Sequence, residues 1–73
     1  MMIVKYDELE TTAQRVYKYV LEHYGKNNPQ RLDYNVVAEE IGRTRSSVSY
    51  GVKVLIKNRK IKETADGKQL YAV

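Results

Sequence analysis

Residues 43–50 read Arg43-Thr44-Arg45-Ser46-Ser47-Val48-Ser49-Tyr50, placing two guanidiniums, four aliphatic hydroxyls and a phenol within one short stretch. Groups of this kind recognise polar surfaces by hydrogen bonding; guanidiniums in particular suit anionic oxygens. Bond-making chemistry needs more. The serines have no evident base, the single His23 has only Glu22 beside it, and Glu39 and Glu40 point about 100° apart on a helix. The chain is therefore expected not to be an enzyme. It has no cysteine, which removes disulfides, thiolate zinc sites and iron-sulfur clusters, and one histidine cannot build a metal site by itself. Its four glycines are widely separated and form no phosphate-cradling loop, so no metal and no cofactor are expected.

Charge is divided unevenly along the 73 residues. Residues 1–42 carry five Lys/Arg against seven Asp/Glu, a net of −2, whereas residues 43–73 carry eight against two, a net of +6. Clustered Lys and Arg gain free energy by displacing the counterions condensed on phosphates, so the basic half points to a polyanion partner. The bland alternative is a basic face that is merely solvated. No apolar run approaches the roughly 20 residues needed to cross a bilayer, and a cytoplasmic protein without membrane contact is expected. A chain this short buries only about 60% of its unfolded surface, so its core must be economical. Seven tyrosines with no Phe or Trp suit such a core, since each packs by its ring and keeps its hydroxyl near water.

The elements that must position residues 43–50 are legible in the spacing. Thr11-Thr12-Ala13-Gln14 matches a capping box and opens a first helix over about 11–25, with Ala13, Val16, Tyr17, Val20, Leu21 and Tyr24 on one face. Arg15, Lys18, Glu22 and His23 are expected elsewhere on that helix. Gly25 to Pro29 reads as a surface loop, and Leu32 as a very short strand. Asp33 caps a second helix over about 34–41, carrying Val37, Ala38 and Ile41 and stopping at Gly42. Thr44 caps a third over about 45–58, whose inner edge is Val48, Val52 and Leu55, with Val54 and Ile56 flanking. Gly51 inside that helix costs about 1 kcal/mol relative to alanine, which close packing against another helix or backbone would explain. Residues 60–73 then form a hairpin about Ala65-Asp66-Gly67, where Asp-Gly favours a tight turn. The predicted fold class is mainly α with a small β-hairpin, an α+β domain over residues 11–73.

The pattern Val37-Ala38-x-x-Ile41-Gly42, followed six residues after the glycine by Val48 and then by Val52 and Leu55, resembles the helix-turn-helix of bacterial winged-helix regulators. The MarR-type, GntR-type and SOS-repressor DNA-binding domains are examples of that kind. Arg43 departs from that pattern, whose position after the turn glycine is usually apolar. The resemblance covers residues from about Thr11 to Val73 and implies a three-helix winged helix-turn-helix that binds double-stranded DNA. Such a module would serve as a small transcriptional regulator or as an accessory protein of a plasmid, phage or other mobile element.

A third helix lying in the major groove would present Arg45, Ser46, Ser49 and Tyr50 to base edges. Arg43, Thr44, Ser47, Lys53 and Lys57 are expected at the backbone or its margin, and Lys62 and Lys68 in the hairpin, or wing, would reach the backbone or an adjacent minor groove. Arg59 and Lys60 would either meet phosphate or favour the negative C-terminal end of the third helix. The alternative function is a winged-helix module that binds proteins instead, for which Tyr50 is the suitable anchor. Met1-Met2-Ile3-Val4-Lys5-Tyr6, within residues 1–10, reads as a β-prone arm that packs on the domain or on a second subunit of a homodimer; its bland alternative is a frayed tail.

Overall fold

The computed structural model describes residues 10–73. Of the N-terminal arm expected over residues 1–10, all but Glu10 lies outside the described residues. Three helices are followed by one antiparallel hairpin: α1 Thr12–Tyr24, α2 Tyr34–Ile41, α3 Arg45–Lys57, β1 Ile61–Glu63 and β2 Leu70–Ala72. The fold is thus mainly helical α+β. No helix among the described residues is long and apolar enough to cross a membrane.

Each helix begins where a side chain can satisfy orphan backbone N–H groups. Thr11 and Gln14 form the reciprocal capping box, Asp33 accepts from the N–H groups of Asn35 and Val36, and Thr44 accepts from that of Ser47. The helix ends differ. Gly42 stops α2 in the left-handed region at φ 70°, which glycine adopts without a Cβ penalty. After α3 that position falls to Arg59, at φ 59°, while the Lys60 N–H reaches back to the Leu55 carbonyl at 2.9 Å.

The core is formed by Val16, Tyr19 and Val20 of α1, Val37, Ala38 and Ile41 of α2, Val48, Val52 and Leu55 of α3, and Ile61, Leu70 and Ala72 of the hairpin. The expected inner edges of α2 and α3 are the ones buried. On α1 the buried surface is wider than a single stripe, because the helix is covered by α2 and α3 and also by β2. Tyr19 therefore joins the core, with its ring 4.2 Å from that of His23, and Ala13, Tyr17, Leu21 and Tyr24 are only half-buried. Arg15, expected on the outer side, is 9% exposed and donates from Nη1 to the carbonyl of Ile41 at 2.7 Å. That carbonyl ends α2, and a buried guanidinium satisfies it across the fold.

Gly51 has a packing reason. A Cβ at this position would stand 3.2 Å from the backbone N and Cα of Ala13, so the glycine lets α3 pass close to the first turn of α1. Ile56 is half-buried against the core, whereas Val54, also half-buried, lines a recess with Ala13 and Tyr50.

Two local expectations are corrected. Leu32 makes no strand; the strand-like pairing comes earlier, where Lys26 and Gln30 bridge to Ala72 and Leu70, and Gln30 and Leu70 exchange two bonds of 2.8 Å. Backbone groups along the free edge of β2 needed partners, and the post-α1 loop provides them. The hairpin turn is also wider than a two-residue Asp-Gly connection. Strand pairing runs from Ile61↔Ala72 to Glu63↔Leu70, Thr64 bonds Gln69 beyond it, and only Gly67 at the tip takes positive φ. The Asp66 carboxylate accepts from the Thr64 hydroxyl and the Lys68 N–H, closing the turn through its side chain.

Candidate nucleic-acid interface

The start of α3 is where the fold gathers the residues singled out by type. Thr44 Oγ1 accepts from the Ser47 N–H at 3.2 Å and donates to Ser47 Oγ at 2.9 Å, so Thr44 and Ser47 are occupied in shaping the helix start. Arg45, Ser46, Tyr50, Lys53 and Lys57 are exposed along the helix, and Ser49 is half-buried.

Two recesses open at this end. One, of about 430 Å³, lies between the start of α2, the start of α3 and the hairpin, with Arg31, Tyr34, Arg45, Glu63 and Lys68 among its walls. The second, of about 540 Å³, is lined by Tyr34, Arg45, Ser46 and Ser49. Tyr34 and Arg45 belong to both. Arg45, Ser46, Ser49 and Lys68, separated by up to 23 positions, thereby border one continuous surface.

The remaining predicted residues stand apart from it. Tyr50, 70% exposed, borders a recess of about 280 Å³ formed with Thr11, Thr12, Ala13, Gly51 and Val54. Lys62 lies beside Ile56 and Arg59 next to the hairpin. Arg43 is half-buried, donates to the Glu10 carbonyl at 3.3 Å and lines neither recess. Lys53 and Lys57 follow α3 away from its start.

Arg31, Tyr34 and Glu63 were given no role from sequence. For Tyr34 and Glu63 a signal was present. Tyr34 precedes Val37, Ala38 and Ile41 by three, four and seven positions, which sets it at the edge of the inward face of α2. Glu63 lies two residues beyond the buried Ile61 and so shares its face of the strand. What sequence could not supply is that these two faces meet the start of α3.

A helix N-terminus favours negative side chains; none of the three helices has an acidic residue in its first turn, and α3 begins with the cation Arg45. Arg31, Arg45, Lys68 and Glu63 make no ion pair among the described residues; Lys18 and Glu10 pair at 3.4 Å on another part of the molecule. The Tyr34 hydroxyl is held above its ordinary pKa by burial and, after that, by the charge of Glu63. No group of three or more His, Cys, Asp or Glu residues placed to hold a metal occurs among the described residues. Comparison with family models, curated proteins and solved structures finds no match to this chain.

Proposed function

We propose that this chain is a winged helix-turn-helix module that binds double-stranded DNA, with α3 in the major groove and the hairpin as its wing. The observation that carries the reading is the start of α3, where Arg31, Arg45 and Lys68 line one recess without ion-pair partners beside a helix N-terminus that begins with Arg45. Cations placed there oppose the helix dipole, and an incoming phosphate would relieve both charges at once.

In this reading Arg45, Ser46, Ser49 and Tyr50 contact base edges. Arg45 suits guanine O6 and N7, the serines suit several edges, and the Tyr50 ring suits a thymine methyl. Lys68, Arg31 and the Tyr34 hydroxyl contact the backbone beside the wing, while Lys53, Lys57 and Lys62 add to the field. The module acts as a small transcriptional regulator or as an accessory protein of a mobile element, plasmid or virus.

The test is a titration of duplex DNA across salt concentrations. Six phosphate contacts give a slope of log affinity against log salt near about −5. Undetectable binding at low salt would overturn the proposal and favour the second reading, a protein-binding module. That reading is favoured by Tyr50, exposed above the apolar recess it shares with Ala13, Gly51 and Val54.

A further inference from the structure

Two carboxylates, Asp33 and Glu63, line the recess with its three cations; Asp33 is taken up in capping α2, and Glu63 calls for an explanation. Glu63 ends β1, opposite the buried Leu70, and its Oε2 lies 3.9 Å from the point where a Cβ on Gly67 would stand. It is thus laid against the hairpin tip and faces the same opening as Arg31, Tyr34, Arg45 and Lys68. It makes no ion pair with any of them.

On a surface that meets a polyanion, an unpaired carboxylate opposes binding unless the ligand supplies a donor. The DNA backbone supplies none: its phosphate and sugar oxygens are acceptors, and docking would strip water from Glu63 without replacement. Base edges do supply donors. In the major groove these are the amino groups of adenine and cytosine; in the minor groove the guanine N2 amino group is the sole one. Glu63 sits on the hairpin, which as a wing reaches the backbone or the minor groove beside the major groove that holds α3, and of these two only the minor groove offers a donor.

We infer that Glu63 is a specificity-determining residue that accepts a hydrogen bond from the guanine N2 amino group, so that the hairpin selects a G·C pair beside the site read by α3. This rests on the DNA-binding reading above. At an A·T pair the minor groove offers only acceptors, and Glu63 is left desolvated and unpaired. Lys68, at the same tip, supplies the opposite chemistry and holds the neighbouring backbone. The combination reverses the preference of purely basic wings, which favour the narrow, strongly negative minor groove of A-tracts.

The test uses the full chain and its Glu63→Ala and Glu63→Gln variants. Duplexes of about 20 base pairs with randomised centres are selected by the wild-type protein. Each guanine of the tightest binder is then replaced in turn by inosine, which lacks only the N2 amino group and keeps the major-groove edge. The expected result is one position, outside the α3 footprint, at which inosine weakens wild-type binding about tenfold. Glu63→Ala should bind the guanine and inosine duplexes equally. Glu63→Gln, which keeps an acceptor oxygen, should retain a preference for guanine while binding every duplex more tightly.

Wild-type binding that is indifferent to every inosine, with Glu63→Ala tightening all duplexes alike, would reduce Glu63 to a repulsive charge and overturn the inference alone. A guanine preference that survives intact in Glu63→Ala would assign the contact to another residue and overturn it as well. Failure of the wild-type protein to bind any member of the pool would instead overturn the DNA-binding reading, and this inference with it.

Discussion

Ser49 and Tyr50 are neighbours in sequence that face different surroundings, and the difference is testable. Ser49 borders the recess shared with Tyr34, Arg45 and Ser46, whereas Tyr50 projects beside the start of α1. Under the proposed docking, Ser49→Ala and Tyr50→Ala should each shift the preferred base at separate positions by about 1 to 3 kcal/mol, measured by selection from randomised duplexes. Identical profiles for the two variants and the wild type would remove both from base reading. Arg15 poses a different question at the same scale. Its bond of 2.7 Å to the Ile41 carbonyl is buried and joins α1 to the end of α2. Arg15→Met keeps much of the packing and deletes the donor, so urea unfolding should show a loss of about 2 to 3 kcal/mol. A loss below about 0.5 kcal/mol would mean that water satisfies the carbonyl as well as the guanidinium does.

Elements meet at two points where a single position decides the geometry. At Gly51 two effects of opposite sign compete. Alanine would gain about 1 kcal/mol of helix propensity, but its Cβ would press on the Ala13 backbone at 3.2 Å, and overpacking against atoms that cannot rotate away costs about 1 to 3 kcal/mol. The clash is expected to win, giving a net destabilisation of about 1 kcal/mol by thermal or urea unfolding. A stabilised Gly51→Ala would show that α1 can retreat from α3. At the hairpin tip the deciding group is Asp66, whose carboxyl is held below the ordinary value of 3.8 by the Thr64 hydroxyl and then by the Lys68 N–H. A carboxyl lowered in the folded state stabilises the fold above its unfolded pKa, and that contribution fades as pH falls through the lower folded value. Thermal melts from pH 6 downward should therefore show part of the acid loss of stability below about pH 4 disappearing in Asp66→Asn. Equal acid sensitivity in both proteins would count against an ionised turn.

At the scale of the molecule the basic half is not a uniform face. Its cations divide among the recess at the start of α3, the exposed line of α3 and the region beside Ile56, while Arg43 is drawn to Glu10. Lys68→Ala should weaken binding to all duplexes nearly equally and lower the magnitude of the salt slope by about 1. Lys62→Ala should do the same only if the far side of the hairpin also meets the backbone, so the pair of slopes maps how deeply the hairpin is engaged. An unchanged slope for Lys68→Ala would contradict the proposed docking.

Helix positions, their caps and the core faces of α2 and α3 were determined by the sequence alone. Capping and periodicity act over three or four neighbouring residues, and Thr11, Asp33 and Thr44 carry that information locally. The hairpin was legible for the same reason, although the side-chain bonds of Asp66 made its turn wider than the Asp-Gly pair suggested. Burial of Arg15 and Tyr19 was not legible, because it depends on α2, α3 and β2 covering more of α1 than one stripe. Nor was the pairing of Gln30 with Leu70, forty positions apart. The opening stretch from Arg43 to Tyr50 shows the division within a few residues. Their types set the available chemistry, but only tertiary packing turned Arg43 toward Glu10 and brought Arg45, Ser46 and Ser49 beside Tyr34, Glu63 and Lys68, since contacts between distant segments follow from how whole elements fill a shared core.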